Sequence, residues 1–526
     1  MSTKTIVLNY FAALCEESES LKKALGDDLV SNSGQIDWEA LCSLLKYHKL
    51  HMLFYHDYQE IIPDRHKSKF AHEYYKELAW QQVLLEEFKL LTQHFKKADI
   101  PFILLKGFTI DHAIYGFRHF RPTSDLDLLL LRTEDLAKAQ DLVEEDGYSV
   151  FYKKKDYTFG VLPTGYRMKH VGYHESQYSK VIEDGYFIDA ELHLDTGSIG
   201  PEIIESFKKE PESIQLGGTD VLVMNRLHFF LYLCANTQQN FEINYSVYNN
   251  TYLRDVLDVV LFVKKHIVES DWGEILRLSK KYHIYHMICA VVYYAVCLAG
   301  KNVLPVKFQE MFQYTEVPGE KHYANGSSVP WEMSFIDRVF DAEKRCTEYS
   351  RLYVEHCFSA KNPNSSPAYP AFLPDPGLCV FHNHFFQTDL TWKFQTNGQS
   401  LQLSIFDLKG SVISQENYLA LKFLTRWETA YQNGGNPLYT FYIQKNDRGD
   451  YELIDEDGNL VSLSVERDNT SVFSIPLSML YLYHDKYIAY NLLFCRRIFK
   501  DCLEWCGGIY EDYNPKGELG VIQIHP

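Results

Sequence analysis

The chain has 526 residues, of which 46% are hydrophobic and 23% are charged. This composition is typical of soluble globular proteins and excludes the disordered, collagen-like and coiled-coil classes. At roughly 150 residues per domain, the length predicts about two to four domains. The formal net charge of −18 argues against binding to nucleic acid or an anionic membrane, because both ligands need a basic surface.

The sequence shows no targeting or membrane signal. The apolar stretch at the N-terminus is short and is followed by Glu16, Glu17 and Glu19, unlike a secretory signal. The longest apolar run, about residues 287–300, is too short for a membrane span of ~20 residues. The eleven cysteines are scattered and odd in number, which indicates reduced thiols. We therefore expect a cytoplasmic protein.

Hydrophobic periodicity predicts an ordered series of elements. Residues 1–95 are predicted to be helical, with helical spacing from Trp38 to Tyr55 and from Lys67 to Phe95. Residues 96–215 mix strands and helices, which is typical of an α/β segment. The predicted strands here are Ile103–Leu105, Leu126–Leu131 and Phe187–Leu194, and the predicted helices are Phe108–Tyr115 and Ala137–Glu145. Further helices are predicted over 222–234, 252–266, 271–298 and 331–358, with a linker over 301–331.

The C-terminal part differs in pattern. Five prolines lie between Ser359 and Gly377, and proline cannot donate a backbone hydrogen bond, so this segment is predicted to be a domain linker. Beyond it, short strands are predicted at Trp392–Phe394, Leu401–Phe406, Tyr439–Ile443 and Tyr451–Ile454, with a hairpin turn at Asp457-Gly458.

The predicted fold class is therefore an α+β core, built on a small mixed sheet with flanking helices, followed by an all-β sandwich. The predicted domains are a helical subdomain (1–95), an α/β core (96–215), a second helical subdomain (216–358), the proline-rich linker (359–377) and the β-sandwich (378–526).

The strand around Asp125 and Asp127 carries the clearest chemical signal. Side chains alternate along a strand, so these two carboxylates share one face at a spacing of about 6–7 Å. Adjacent carboxylates repel each other unless a cation is present, and Mg²⁺ prefers oxygen ligands. A second strand alternates in the same way and presents Asp189, Glu191, His193 and Asp195 on one face. If it pairs beside the first strand, one of its acids completes a three-carboxylate cluster able to hold two ions.

Lys106 and Gly107 lie between a predicted strand and a predicted helix. A glycine allows the backbone to approach a phosphate closely, and the following helix would present free N–H groups. Lys106 could contact a phosphate as a point charge. Arg121 could pair with a phosphate or with Asp125. An alternative metal site would combine His170 and His174 with His193 as zinc ligands.

Four motifs follow one another along the sequence: Lys-Gly, Arg, Asp-x-Asp and Glu-x-His. Their order resembles that of the uncharacterised nucleotidyltransferase family of the polymerase-β-like superfamily, and the resemblance covers about residues 30–300. The resemblance implies Mg²⁺- or Mn²⁺-dependent transfer of a nucleoside monophosphate from an NTP, with release of pyrophosphate. It implies that Asp125 and Asp127 are the metal pair, that Glu191 is the third acid, and that all three are catalytic. The predicted nucleotide-binding residues are Lys106, Gly107, Arg121, His193, Arg254 and Asp258, of which Arg254 and Asp258 match a basic residue and an Asp four apart.

The sequence departs from the superfamily pattern in two places. Phe108 follows Gly107 where a serine is usual, and Leu194 follows His193 where a tryptophan is frequent. The missing serine leaves a second hypothesis open, in which the protein senses a nucleotide and binds a glycan or peptide without turnover. A third hypothesis is transfer of another phosphate-activated group, such as a sugar, at the same site.

The segment from Phe386 onward resembles a family 9 carbohydrate-binding-module-like β-sandwich. The resemblance depends on an Ile-Pro segment at 475–476, an Asn-containing strand around Asn491, Trp505 and a Pro before a Gly near the C-terminus. It implies a possible glycan or peptide ligand. Trp392, Trp427 and Trp505 are candidate stacking platforms, and core packing is the alternative for each of them.

The linker prediction can be tested by limited proteolysis. We expect cleavage within Ser359–Gly377 to give two stable fragments, because proline-rich chain forms few backbone hydrogen bonds. Isothermal titration calorimetry should then show that fragment 1–358 still binds Mg²⁺–NTP, since every proposed ligand lies within it. A fragment that binds no nucleotide, while the full chain does, would contradict the two-part organisation.

Overall fold

We describe the protein from a computed structural model. The structure describes residues 2–153, 159–161, 175–183, 186–194, 201–238, 240–241, 252–313, 320–322, 328–330, 332–341, 344, 379–383, 388–396, 399–408, 413–414, 417–424, 438–446, 448–455, 458–480, 487–499, 502–508 and 520–523. The chain forms two compact units. Unit 1 comprises Met1–Phe151, Val161–Glu242 and Asn250–Pro318, and unit 2 comprises Tyr152–Gly160, Ile243–Asn249 and Gly319–Pro526. The proline-rich segment 359–377 lies outside the described residues, so the predicted domain boundaries stay a prediction.

Unit 1 begins with five helices. They are α1 (Thr3–Glu16), α2 (Glu19–Ser31), α3 (Trp38–Tyr47), α4 (His51–Tyr58) and α5 (Asp64–Lys97). The pattern predicted continuous helical spacing from Trp38 to Tyr55, but the chain leaves the helix between α3 and α4. Lys49 adopts φ +59° there, which is a left-handed conformation that ends a helix. The long α5 buries Leu84, Phe88, Leu91 and Phe95, which recur at helical spacing.

The next part of the chain forms a six-stranded mixed sheet, short helices and a separate pair of strands. The elements in chain order are β1 (Phe102–Leu104), α6 (Phe108–Tyr115), β2 (Asp125–Leu130), α7 (Leu136–Glu145), β3 (Phe151–Lys153), β4 (Phe159–Val161), β5 (Glu175–Glu183), β6 (Tyr186–His193), α8 (Pro201–Lys209), β7 (Glu212–Leu216) and β8 (Thr219–Val223). The strand order of the six-stranded sheet is β5-β6-β2-β1-β8-β7, whereas β3 pairs with β4 and both belong largely to unit 2. β2 is parallel to β6 and β1 is parallel to β8, whereas the other neighbours in the sheet are antiparallel. The predicted small mixed sheet is confirmed.

Five helices complete unit 1: α9 (Arg226–Gln238), α10 (Leu253–His266), α11 (Trp272–Lys281), α12 (Tyr285–Ala299) and α13 (Val306–Met311). The predicted helix over 222–234 starts too early. Leu222 belongs to β8, whose Val221 and Val223 are buried while its backbone pairs with β7. The predicted helix over 271–298 is two helices, because the chain turns at His283 with φ +59°. The predicted linker over 301–331 contains α13.

Unit 2 contains the remaining described elements. They are β9 (Glu320–His322), β10 (Ser328–Pro330), α14 (Phe335–Phe340), β11 (Cys379–Asn383), β12 (Thr388–Thr396), β13 (Ser400–Phe406), β14 (Asn417–Leu424), β15 (Leu438–Lys445), β16 (Tyr451–Ile454), β17 (Leu460–Leu463), β18 (Val465–Arg467), β19 (Thr470–Pro476), β20 (Tyr487–Phe499), β21 (Cys502–Gly508) and β22 (Gly520–Gln523). Of the helix predicted over 331–358, the described part shows α14, which ends at Phe340.

In unit 2, β9 pairs with β10, and most of the other strands form two larger sheets that share one core. The first has the order β11-β12-β13-β19-β18, and the second has the order β17-β16-β15-β14-β20-β21, with β22 paired to β20. Alternate residues of both sheets pack together, including Leu403 and Phe473 of the first and Leu421 and Ile443 of the second. The predicted β-sandwich is therefore confirmed, and so is the hairpin that joins β16 to β17 at Gly458.

Trp392 lies in this core with no exposed surface, so it is not a sugar-stacking platform. Its burial follows from its position on β12, whose register with β13 aligns Trp392 with the buried Ile405. Trp427 and the side chain of Trp505 lie outside the described residues, so these two candidates stay predictions. Among the described residues, no helix has both the length and the apolar character that crossing a membrane requires.

Candidate active site

The register of two parallel strands brings the predicted acids together. Asp125 of β2 pairs with Asp189 of β6, and Asp127 pairs with Glu191 two residues further along. Because successive residues alternate faces, these four side chains lie on one side of the sheet. The next strand in the other direction is β1, which ends just before Lys106. The site is therefore built from the first residues of β2, the C-terminal half of β6 and the segment that follows β1.

Asp127, Glu191 and His193 form the tightest group. Each offers one ligand atom, and these atoms lie within 4.8 Å of one another. His193 Nε2 lies 3.3 Å from Asp127 Oδ1 and 3.4 Å from Glu191 Oε2. Asp127 is only 1% exposed, and its Oδ2 has no hydrogen-bond partner among the described residues. A buried carboxylate oxygen without a donor, beside a second carboxylate and an imidazole, fits a divalent cation.

Asp125 and Asp189 lie at the edge of this group. Asp125 is about a quarter exposed, and it accepts a 3.3 Å hydrogen bond from Ser124 Oγ. Asp189 accepts a hydrogen bond from Ser179 Oγ of the neighbouring β5. The structure thus brings Glu191, rather than Asp189, to Asp127. The roles of Asp125 and Glu191 as metal ligands stay a prediction that this placement favours. Of the alternative zinc ligands, His170 and His174 lie outside the described residues.

Lys106 neutralises part of the negative charge. Its Nζ lies 3.0 Å from Asp127 Oδ1 and 3.6 Å from Asp125 Oδ2. Burial opposes the charged form of Lys106, but attraction by Asp125 and Asp127 outweighs this effect and raises its pKa. The ammonium thus occupies a position where a positive charge is stabilised by two carboxylates.

The pKa values of the paired acids Asp127 and Glu191 are shifted in opposite directions. Burial would raise the pKa of Asp127, but Lys106 and the hydrogen bond with His193 outweigh it, so this pKa lies well below its usual range. Burial also raises the pKa of Glu191, to about 8, because the His193 hydrogen bond compensates only in part and the Asp127 charge adds repulsion. Asp127 therefore carries the negative charge of the pair, whereas Glu191 holds a proton at neutral pH.

Gly107 connects β1 to α6 through a conformation that requires glycine. Its φ is +65° and its ψ is −111°, and a Cβ at this position would lie 2.7 Å from Thr123 Cγ2. Gly107 also directly precedes the first turn of α6. Because glycine has no side chain, nothing at this position covers the N-terminal N–H groups of the helix. Phe108, which replaces the usual serine, is buried and provides no hydroxyl.

Arg121 pairs with Asp258 rather than with Asp125. Its Nε donates a 2.8 Å hydrogen bond to Asp258 Oδ2, and both side chains are buried. Burial raises the pKa of Asp258, although Arg121 and Arg254 favour its charged form. Within the described chain, these two predicted nucleotide-binding residues contact each other, and the contact holds α10 against the segment before β2.

Further contacts fix the segment from Arg121 to Thr123. Arg254 Nη1 donates a 2.9 Å hydrogen bond to Pro122 O, and its Nη2 donates a 2.9 Å hydrogen bond to Asp255 Oδ1. The buried Gln81 of α5 donates to Thr123 O at 3.3 Å. Asp111 of α6 accepts a 3.1 Å hydrogen bond from the backbone N–H of Arg121. Helices α5, α6 and α10 therefore hold the segment that leads into Asp125.

Tyr232 is a site neighbour that the sequence did not reveal. It lies on α9, is buried, and interacts electrostatically with Lys106, Asp127 and Glu191. Burial raises its pKa above the usual value, and the nearby carboxylates add to this effect. Tyr232 occurs in a run of apolar residues, Phe229 to Leu233, so no polar pattern distinguished it.

Replacing Gly107 by alanine should destabilise the protein more than the same change at Gly116. Gly116 also has a positive φ, +67°, but a Cβ there meets nothing within 4 Å. We expect Gly116→Ala to cost about 1–2 kcal/mol for the left-handed backbone. Gly107→Ala should cost roughly 1–3 kcal/mol for its backbone conformation, plus the overlap with Thr123. Thr123→Ser in the Gly107→Ala background should restore the overlap part, as measured by urea unfolding. Equal losses at the two glycines would show that close packing against Thr123 is unimportant.

Glu191→Gln should change how stability depends on pH. In the folded protein the pKa of Glu191 is raised from 4.5 to about 8, so its contribution to stability is full below about pH 4.5 and is lost as the pH rises through about 8. We expect urea unfolding in EDTA to show this loss in the wild-type protein but not in Glu191→Gln. The exposed Glu134→Gln controls for removal of a surface charge. The prediction is wrong if Glu191→Gln and the wild-type protein show the same dependence on pH.

One of three comparisons with known proteins found a similarity. The model of a family described as "Uncharacterised nucleotidyltransferase" matches residues 34–300, just over half of the 526 residues. The searches of curated proteins and of solved structures gave no match. The matched range contains β1, β2, β6 and α10, and therefore every predicted site residue. On this evidence the chain belongs to the uncharacterised nucleotidyltransferase family.

Proposed function

We propose that the protein transfers a nucleoside monophosphate from an NTP to an acceptor, releasing pyrophosphate, and that it requires Mg²⁺ or Mn²⁺. Family membership supports nucleotidyl transfer as the class of reaction. The observation that supports the metal requirement is the register of β2 and β6, which places Asp127 beside Glu191 with Asp125 two residues away. Three carboxylates on one face of a sheet are costly to hold together without a cation.

Each residue of the site has a proposed role. Asp125, Asp127 and Glu191 would hold the cation, and His193 would orient Asp127 and Glu191 through its contacts with both. A bound Mg²⁺ or Mn²⁺ would supply positive charge that neutralises phosphate oxygens. Gly107 would let phosphate oxygens approach the N-terminal N–H groups of α6. Lys106 would contribute a further positive charge to the phosphates.

The proton of the acceptor would be taken up close to Glu191. In the proposed reaction, an acceptor hydroxyl or phosphate attacks the α-phosphorus in line, and the bond to the pyrophosphate oxygen breaks. Glu191, whose pKa is raised in the absence of a cation, must lose its proton to hold one, which leaves a carboxylate close to the attacking oxygen. The buried pairing of Arg121 with Asp258 supports a positioning role for both, in which they fix the segment before Asp125.

The acceptor is proposed only by class, as a small molecule, a peptide or a glycan. A glycan or peptide bound to the β-sandwich of unit 2 would agree with its resemblance to a carbohydrate-binding module. A nucleotide sensor without turnover remains a second candidate, because the buried Phe108 replaces the serine that usually follows the glycine. Transfer of a phosphate-activated sugar is the third.

Asp125→Asn should abolish turnover while the fold is retained. Asp125 is partly exposed, and its replacement removes a charge that repels Asp127 and Asp189. The assay incubates the protein with each NTP labelled at the α-phosphate, with Mg²⁺ or Mn²⁺, and detects label on a product other than free nucleotide. Asp189→Asn is the matched control, because Asp189 lies opposite Asp125 but is bonded to Ser179, and it should retain activity.

The possible results separate the candidates. Full activity in Asp125→Asn would exclude the proposed metal mechanism. Tight binding of Mn²⁺–NTP by the wild-type protein without labelled product would favour the nucleotide sensor. If a nucleotide sugar that is labelled in its sugar gives labelled product, and no NTP does, the result would favour sugar transfer. Loss of activity in Asp189→Asn, with activity retained in Glu191→Gln, would show that the third acid is Asp189.

A further inference from the structure

Two cations lie around one aromatic ring next to the segment that precedes Asp125. Lys49 Nζ lies 5.6 Å from the centroid of the Tyr252 ring, and Arg254 Cζ lies 5.7 Å from the same centroid. Lys49 belongs to the turn between α3 and α4, whereas Tyr252 and Arg254 are at the start of α10. We call Lys49, Tyr252 and Arg254 the Lys49 cluster.

The Lys49 cluster is connected to the active site through the protein backbone. Arg254 Nη1 donates to Pro122 O at 2.9 Å, and the next residue, Thr123, packs directly against Gly107. On the other side, the backbone N–H of Arg254 points to His48 O at 3.4 Å, which places α10 against the turn that carries Lys49. The cluster therefore borders the segment that leads from Arg121 to Asp125.

The two cations differ in how they are neutralised. Arg254 is paired with Asp255, whose Oδ1 accepts hydrogen bonds of 3.2 and 2.9 Å from Nε and Nη2. Within the described part of the chain, the Lys49 ammonium makes no hydrogen bond and no ion pair, and Glu77 and Asp255 act on it only at longer range. Lys46, one turn earlier, contrasts with it, because its Nζ lies 2.6 Å from Glu73 Oε2.

Lys49 is half-buried, and its environment disfavours its charge. Burial, and then repulsion by Arg254, lower the pKa of Lys49. His51 does not compensate, since burial and the charge of Lys49 lower the pKa of this histidine to about 4. A half-buried ammonium without a counter-ion is costly, and a cation–π contact with Tyr252 offsets only part of that cost.

The hydrogen-bonding capacity of the cluster favours a phosphate. Lys49 brings three N–H donors, and Arg254 uses three of its five N–H groups on Asp255 and Pro122. Two N–H groups of Arg254 and those of Lys49 thus have no acceptor among the described residues and are available to an external anion. A phosphate offers more acceptor oxygens than a carboxylate, and it forms charge-assisted hydrogen bonds with lysine and arginine.

We propose that the Lys49 cluster is a second anion subsite, which binds a phosphate-bearing group of a substrate beside the active site. The inference rests on the proposed function in taking that substrate to be a nucleotide or a phosphorylated acceptor. The phosphate comes either from the terminal phosphates of the NTP or from the acceptor. Lys49 is the cation of the cluster that has no ion pair among the described residues, so it is the position to test.

The test compares Lys49→Met with Lys46→Met in the full-length protein. Both changes replace an ammonium by an unbranched apolar chain, but Lys46 is half exposed and is already paired with Glu73. Calorimetry measures the affinity of each variant for inorganic phosphate alone and for each NTP with Mn²⁺. We expect Lys49→Met to bind phosphate roughly tenfold more weakly or worse, and Lys46→Met to bind it like the wild-type protein. Lys49→Arg should retain binding because it keeps the charge.

Thermal unfolding checks that the loss is specific to binding. Lys49→Met should unfold at the same temperature as the wild-type protein or higher, because an unpaired charge is removed. If this variant does not fold, Lys49→Gln replaces it with the same expectation.

Every outcome bears on the subsite. Unchanged affinity for phosphate in Lys49→Met would overturn it, as would a wild-type protein that binds no phosphate at millimolar concentration. If phosphate and NTP binding weaken together, the cluster binds the terminal phosphates of the nucleotide. If only phosphate binding weakens, it binds the acceptor. The affinity of the site formed by Asp127, Glu191 and His193 for Mn²⁺ alone should be unchanged in Lys49→Met. Failure of the subsite is thus separate from failure of the proposed function, which depends on Asp125 and Asp127.

Discussion

The parallel pairing of β2 with β6 is the constraint on which the site depends, because its register sets four carboxyl groups side by side. Such an arrangement is unfavourable in a buried environment unless each charge is compensated. The fold compensates it with Lys106 on Asp127, with His193 between Asp127 and Glu191, and with Ser179 on Asp189. The remaining charge is reduced by a proton on Glu191. The strand pairing that builds the core of the sheet therefore also creates the repulsion between the carboxylates of the site.

The position of Asp125 also depends on the segment that precedes it. Groups from three helices hold this segment in place. The buried Arg121–Asp258 ion pair ties the segment to α10, while Gln81 and Asp111 tie it to α5 and α6. A buried ion pair is weak evidence for stability, but removal of one partner leaves a charge that is costly to bury. This arrangement makes the helices around the sheet part of the support of the site.

The sequence predicted the elements whose patterns are local. Strands β1, β2 and β6 and helix α6 were predicted within one or two residues, because alternation and helical spacing act over a few residues. β8 was missed because its apolar residues run almost directly into the apolar α9. The choice of Glu191 over Asp189 came from a family resemblance, and the register agrees with it while the role itself stays a prediction. The pairing of Arg121 with Asp258 joins residues 137 positions apart, and neither it nor the placement of Lys49 near Tyr252 leaves a local signal.

The contact between Lys106 and Asp127 has a thermodynamic consequence. The Lys106 ammonium, which lies 3.0 Å from Asp127 Oδ1, opposes the binding of a cation to Asp127, because the two positive charges repel each other. An anion that draws Lys106 away therefore exposes the charge of Asp127 and increases its affinity for a cation. A cation that binds Asp127 displaces Lys106 and increases its affinity for an anion by the same factor, as linkage requires. In the proposed reaction, Lys106 would thus couple two binding equilibria, so that a cation and a phosphate would bind more tightly together than either would alone.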